Sequence, residues 1–171
     1  MKMKHIISLF ILSAMVAMSF KMPSTMSFPD LFKLAYEKSF DGLDKLKDER
    51  TGEWVFDNAT SDFNVYEVKF DLDRGLHAMR FIKEFDSEST AQQMMGRYQI
   101  QLERLLPIGK YAVNNSLSSK NKTVFEYAST DINEKAKYPV AEILIEGDKE
   151  SGKMTIQLLE PLNRKAIQNK K

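Results

Sequence analysis

The sequence lacks cysteine and nearly lacks histidine, and these absences limit its chemistry. Without cysteine there is no disulfide, no thiol nucleophile and no lipoprotein signal. His5 and His77 are the two histidines, too few for a typical zinc site and a poor basis for a Ser-His-Asp triad. Neither a Gly-rich phosphate loop nor a GxSxG or HExxH motif occurs. We therefore predict a protein that is not an enzyme and holds neither metal nor cofactor.

The chain also lacks a large net charge of either sign. Its formal charge is +1 over 171 residues. The first 19 residues carry Lys2 and Lys4 and no acid, so their removal leaves 23 basic residues against 24 acidic ones. A nucleic-acid-binding protein needs a strongly basic face. We therefore predict that this protein does not bind nucleic acid.

The long apolar run of the sequence lies at its beginning. Residues 1–5 are basic, residues 6–16 are apolar, and residues 17–19 have the small-x-small pattern of a signal-peptidase site. The run falls short of the roughly 20 residues that span a bilayer. We predict a secretory signal over 1–19, a linker over 20–28 and no membrane span after cleavage, with an uncleaved anchor as the alternative. Export without disulfides favours a periplasmic protein, or a secreted one.

Two ten-residue segments of the sequence resemble each other. Residues 55–64 read VFDNATSDFN and residues 124–133 read VFEYASTDIN. Each is preceded by a helical pattern and followed by a hairpin pattern, which indicates a duplication. We predict one domain over 29–162, with repeat one at 29–85, repeat two at 86–162 and a charged tail at 163–171. Chance similarity in a short window is the alternative.

The local signals within each half are those of one helix and several strands. The first helix is predicted to begin near Pro29 with Ser27 as its cap, and the second to begin after Asp86 or Ser87 and end before Pro107.

Strand patterns follow each helix. Apolar and charged residues alternate over 66–72, a turn follows, and residues 76–85 return as a hairpin. A second hairpin is predicted from 140–146 and 153–159, with short strands at 54–56 and 111–113. The fold class is therefore α+β: two α-β-β-β repeats form one antiparallel sheet of six or seven strands, and both helices pack on one face.

The uncovered face of this sheet is the predicted binding surface. It combines a few apolar side chains with charged ones, as protein-binding patches do. We expect the partner to be another envelope or extracellular protein. The candidate partner-binding residues are Glu67, Lys69, Arg80, Ile82, Glu142 and Leu144.

Two alternatives remain open. The first is a carrier of a small apolar ligand in a cavity between helices and sheet. The second is a hydrolase that uses carboxylates alone, which requires two acids about 5 to 10 Å apart in a cleft. Acids four residues apart on one strand are about 13 Å apart, so we expect them to be solvated charges. The cavity residues of the first alternative are Phe32, Tyr36, Met79, Met94 and Tyr98.

Two further features have ordinary structural explanations. By the alternation of its strand, His77 is expected to point inward as a core or rim residue. Residues 71–75 resemble the start of a calcium loop, but the glycine comes one place early and Ile82 replaces the final glutamate. We therefore predict a hairpin turn at 71–75.

Overall fold

The computed structural model describes residues 26–48, 51–57, 59, 62–115, 118–119, 122–131 and 135–162. The predicted signal segment 1–19 and the tail 163–171 lie outside the described residues. The helices are α1 (Phe28–Ser39) and α2 (Glu88–Leu105), with short 3₁₀-helices at Leu43–Leu46 and Lys135–Lys137. The strands are β1 (Val65–Asp71), β2 (Leu76–Phe85), β3 (Tyr111–Asn114), β4 (Lys122–Ser129), β5 (Val140–Gly147) and β6 (Gly152–Leu159).

Both helices begin where the sequence predicts. The Ser27 side chain accepts a hydrogen bond from the Asp30 N–H and caps α1. The Ser87 side chain accepts one from the Thr90 N–H at 3.3 Å and caps α2. Helix α1 ends before Gly42, whose φ of 131° turns the chain into the 3₁₀-helix that follows, where Leu43 and Leu46 are buried.

The six strands form one antiparallel sheet in the order β1-β2-β6-β5-β4-β3. The first hairpin therefore joins the sheet through the last strand. The β2–β6 register places Met79 opposite Leu158 and Phe81 opposite Ile156, and all four side chains lie in the core beneath the helices. The predicted α+β class, with a single antiparallel sheet and helices packed on it, is confirmed. Across the described ranges, no helix is both long and apolar enough to cross a membrane.

The internal repeat is not confirmed. Val55 to Asp57 form a turn, whereas Val124 to Ser129 lie in β4; positions 58, 60, 61, 132 and 133 of the two segments lie outside the described residues. The predicted strand at 54–56 is wrong. The Trp54 N–H donates to the Asp57 carboxylate at 3.0 Å and closes a turn there, while Trp54 pairs with Lys47 through an isolated bridge.

Candidate functional site on the uncovered face of the sheet

The face of the sheet opposite the helices carries a row of polar side chains that crosses every strand. The register pairs Glu67 with Arg80, Arg80 with Gln157, Gln157 with Glu142, and Glu142 with Glu126. Asn114 of β3 lies opposite Glu126 and completes the row. We call these six residues the polar row.

Two apolar rows flank the polar row. The first row crosses five strands and is apolar except for Thr155 at its centre. The second row crosses four strands and is apolar except for Lys69 at its β1 end. The residues of the first are Val65, Ile82, Thr155, Leu144 and Val124, and those of the second are Lys69, Ala78, Leu159 and Val140. Ala78, Val124 and Leu159 are buried although they point away from the helices. This face of the sheet is therefore only partly exposed to solvent.

The middle of the polar row is buried and linked by hydrogen bonds. The Arg80 Nε–H donates to Gln157 Oε1 at 3.2 Å, and the Gln157 Nε2–H donates to Glu142 Oε2. Glu142 is 1% exposed and Gln157 is 5% exposed. Arg80 also lies 3.8 Å from Glu67 and 4.0 Å from Asp71 as loose ion pairs. Since burying a charge is unfavourable unless it has partners, this hydrogen-bond network offsets the free-energy cost of burying the Glu142 carboxylate.

Arg74 reaches Glu142 from outside the sheet. It lies in the β1–β2 turn, and its Nη2 is 2.7 Å from Glu142 Oε1. Burial acts to lower the pKa of Arg74, but hydrogen bonding to Glu142 and the attraction of its charge, with smaller contributions from Asp71 and Glu126, raise this pKa above its ordinary value. The contact is a close, charge-assisted pair that covers the buried carboxylate of Glu142.

A cleft of about 400 Å³ opens at this position. Such a volume lies in the range of small-ligand sites, roughly 300 to 1,000 Å³. Four acidic and four basic side chains line it, so its charges balance. Arg74 also borders a second, smaller cleft of about 150 Å³ lined by apolar Leu76, Val140, Leu159 and Leu162. Arg74 thus lies where the two clefts meet.

The structure brings four of the six predicted partner-binding residues into one cleft: Arg80, Ile82, Glu142 and Leu144. Glu67 adjoins them through Arg80, whereas Lys69 is exposed on β1 at the end of the second apolar row. The expectation that Glu142 is a solvated charge is wrong. Its neighbours in the row and the overlying Arg74 exclude water from it.

The sequence interpretation missed Arg74, Gln157, Thr155 and Glu126 as parts of this face. A signal for three of them does exist. Strands β2, β5 and β6 each place a polar residue between a residue of one flanking row and a residue of the other, as in Ala-x-Arg-x-Ile at 78–82 and Thr-x-Gln-x-Leu at 155–159. The same alternation places Glu126 two residues after Val124 in β4. Arg74 has no such signal, because a turn residue follows no strand alternation.

The residues of the alternative apolar cavity lie in or beside the core. Phe32 and Met79 are fully buried and Tyr98 is 6% exposed, all within one core cluster. The hydroxyls of Tyr36 and Tyr111 share a hydrogen bond at 3.2 Å. Met94 and Tyr98 line a cleft of about 110 Å³, well below the usual size of a ligand pocket.

The carboxylates at the centre of this face are divided between the two clefts. Glu126 and Glu142 lie opposite each other on β4 and β5, but Glu142 lines the larger cleft and Glu126 the smaller one, with Arg74 at both. His77 is 39% exposed, with Nδ1 3.6 Å from Glu160 Oε2. Over the described ranges, no group of three or more His, Asp or Glu side chains is placed to hold a metal ion. The hydrolase hypothesis remains a prediction.

The fold and site thus define a small α+β protein whose antiparallel sheet bears a polar cleft on its uncovered face. No protein-family model matches the sequence, and no curated protein matches it. Among solved structures, CalU16 from Micromonospora echinospora is similar to part of the chain. The similarity covers 61% of this chain and 71% of that one, with a TM-score of 0.32 and 5% sequence identity.

Proposed function

We propose that this protein is an exported, non-catalytic binding module that engages a protein partner through the uncovered face of its sheet. The partner is another envelope or extracellular protein. The observation that carries the proposal is the polar row, buried at its middle, between two apolar rows.

The energetics of this row support binding. A solvent-facing sheet has no need to bury a carboxylate, and burying one is unfavourable unless hydrogen bonds and a counter-charge compensate. Here Glu142, Gln157 and Arg80 are held in fixed positions by one another. Fixed polar groups beside apolar Ile82 and Leu144 are the combination that gives an interface its orientation and its contact area.

The test of this proposal is capture of the partner by variants of the uncovered face. The tagged full-length chain is used to capture partners from the envelope fraction of the native cell. Leu144→Asp and Arg80→Glu should abolish capture of the protein bound by the wild type. Ile100→Asp is the matched control, because Ile100 is 52% exposed and lies on α2, in the helical layer.

Two results would count against the proposal. One is undiminished capture of the same protein by both variants of the uncovered face. The other is loss of capture by Ile100→Asp alone. Thermal unfolding of each variant establishes that it is folded, so that lost capture is not mistaken for lost structure.

Export is tested separately. Cell fractionation followed by N-terminal sequencing of the mature protein should find it outside the cytoplasm and starting near residue 20. A full-length chain that begins at Met1 and stays in the cytoplasm would remove export from the proposal. The uncovered face would then require a cytoplasmic partner.

A further inference from the structure

We propose that two copies of this chain associate through strand β1 (Val65–Asp71), edge to edge and antiparallel, with Val68 on the two-fold axis. The surface concerned is the outer edge of the sheet, whereas the proposed function concerns its uncovered face. The inference follows from the position of β1 in the sheet, from exposed apolar side chains along it, and from a charge pattern that is complementary to itself.

Strand β1 lies at one end of the strand order. Within the described ranges it pairs with β2 and with no other strand, and no backbone hydrogen bond from another described segment reaches residues 65–70. Every second residue of such a strand directs its N–H and C=O outward, where a further strand can bind. Short length or proline often protects an edge, but β1 has seven residues and no proline, whereas β3 at the opposite edge has four residues.

Apolar side chains are exposed along β1. Val65 is 42% exposed and Phe70 is 46% exposed, and Val68 between them is only partly buried. Val68 lies on the helical side of the sheet, as does its β2 partner Met79 in the core. Single exposed apolar residues are common on protein surfaces, so the choice of partner depends on the charges.

The charges of β1 select a second copy and one register. In an antiparallel pair centred on Val68, Glu67 of each copy lies opposite Lys69 of the other, so that two ion pairs form. An axis at Glu67 would instead place two glutamates opposite each other, and an axis at Lys69 two lysines, which is destabilising. A surface that is complementary to itself is what a two-fold dimer requires.

The same register matches the apolar side chains. Val68 meets Val68 of the second copy, and Tyr66 meets Phe70 of the second copy, so that the exposed Phe70 ring is covered. On the other side of the sheet, the polar row of one copy continues through Glu67 to Lys69 of the second. The two sheets become one, in which β1 is no longer an edge.

A closed pair is favoured over an open chain of copies. Joining β1 of one copy to β3 of the next would leave a β1 and a β3 unpaired at the ends, so that assembly would continue without limit. Strand β3 reads Tyr-Ala-Val-Asn, which offers no charge to Glu67 or Lys69.

Disulfide trapping tests the contact, because the chain has no cysteine of its own. Opposed residues of an antiparallel pair have Cα atoms about 4.5 or 5.5 Å apart, within the roughly 4.4–6.8 Å that a disulfide spans. Val68→Cys should therefore yield a disulfide-linked dimer under mild oxidation. Val113→Cys is the matched control, because Val113 is 47% exposed on the opposite edge strand; it should remain largely monomeric.

The register is tested by two further cysteines. Glu67→Cys alone should not crosslink, because residues diagonal to each other are about 7–8 Å apart. A mixture of Glu67→Cys and Lys69→Cys should crosslink, since these positions lie opposite each other. The mixture also tests the contact if Val68→Cys does not fold.

Sedimentation of the purified protein tests the charges, at concentrations up to about 1 mM so that weak association is detected. The wild type should form a dimer. Lys69→Glu and Glu67→Lys should each weaken it by about tenfold, because like charges then meet twice. An equal mixture of the two variants should restore it, since each glutamate then meets a lysine. Lys33→Glu on α1 makes the same change at an exposed lysine and should have no effect.

Four results would overturn the inference: a monomeric wild type over the whole range, equal crosslinking at positions 68 and 113, no recovery in the mixture of charge variants, or assemblies larger than a dimer. Thermal unfolding establishes that each variant is folded. A failed dimer is distinguishable from failure of the proposed function, because partner capture by the uncovered face is measured with Leu144→Asp and does not depend on β1 pairing.

Discussion

Tyr127 has a buried hydroxyl with an unusual environment. The residue is 1% exposed on the core side of β4, and no described residue hydrogen-bonds to its hydroxyl. A buried polar atom without a partner lowers stability by about 1–3 kcal/mol. Tyr111 provides the contrast, because its hydroxyl donates to the Pro139 carbonyl at 2.9 Å and shares a second hydrogen bond with the Tyr36 hydroxyl.

We therefore expect opposite results from the same substitution at these two positions. Tyr127→Phe should raise the free energy of unfolding by about 1 kcal/mol, because it removes an unsatisfied hydroxyl. Tyr111→Phe should lower it by about 1 kcal/mol, because two hydrogen bonds are lost. Urea unfolding of both variants and the wild type measures the difference. A less stable Tyr127→Phe variant would show that its hydroxyl is satisfied.

The same tyrosine makes stability depend on pH in alkali. Burial, with a smaller contribution from Glu103, raises the pKa of Tyr127 from 10.0 to about 12. The unfolded chain then loses this proton first, so the stabilisation is complete below pH 10 and is lost as the pH rises towards 12. Between these values the free energy of unfolding of wild type should fall more steeply than that of Tyr127→Phe. Equal slopes would contradict this assignment.

At the scale of elements, Gly152 allows the β5–β6 hairpin to pack closely against the start of α2, because glycine has no side chain. A Cβ added at Gly152 would lie 2.2 Å from the Ser87 carbonyl oxygen, at the start of that helix. The atoms that this Cβ would meet, in Ser87 and Glu88, all belong to the backbone. Beside them the Glu88 N–H donates to the Asp148 carbonyl at 2.8 Å. Neither side can move without disturbing the helix cap or the hairpin.

Alanine substitutions at two glycines test this contact. Gly152→Ala should destabilise the protein by about 1–3 kcal/mol, the usual cost of overpacking. Gly96 lies inside α2 with no atom within 4 Å of an added Cβ, so Gly96→Ala should stabilise by up to about 1 kcal/mol. Thermal unfolding measures both variants. A neutral Gly152→Ala variant would mean that helix and hairpin are not packed as described.

The β1–β2 turn is anchored to the sheet through Arg74 and Glu142. We expect Arg74→Met and Glu142→Gln to be coupled in a double-mutant cycle, by about 0.5–2 kcal/mol, because the two charges are in contact and one is buried. The exposed pair Lys153 and Glu146, 3.2 Å apart, is the control and should couple by less than about 1 kcal/mol. Additive effects at Arg74 and Glu142 would show that the turn is not held by this pair.

The elements could be predicted from the sequence where the determining interaction is local. Ser27 and Ser87 cap helices through the residues that immediately follow them, and each hairpin is fixed by its own turn and alternation. The strand predicted at 54–56 fails because the Asp57 side chain competes for the backbone of Trp54. That competition is visible only once the turn is formed.

The site could be predicted in part. Alternation along β2 and β5 placed Arg80, Ile82, Glu142 and Leu144 on one face. It did not show that β2 pairs with β6, because that contact joins residues about 75 positions apart through no local signal. The pairing of β6 with β2 and β5 aligns Gln157 with Arg80 and Glu142 and buries the middle of the polar row. Burial of Glu142 thus depends on tertiary structure that the local pattern does not encode.

At the scale of the whole molecule, the two faces of the sheet have different roles. The helices cover one face, and the polar row lies on the other. The covered face holds the aromatic and aliphatic core, in which Phe28 packs against Phe63 and Phe81 with ring centroids 5.0 Å apart. This core accounts for folding without disulfides, because apolar burial alone supplies the main driving force. The uncovered face is then free to carry charged groups that do not serve the core.

Binding through the uncovered face can be tested in the native cell by photo-crosslinking at one position on each face of the protein. A photoreactive p-benzoylphenylalanine replaces Leu144 on the uncovered face, or Ile100 on α2. If the partner binds the uncovered face, a discrete crosslinked adduct forms from position 144 and none from position 100. An adduct from position 100 with none from position 144 would contradict it.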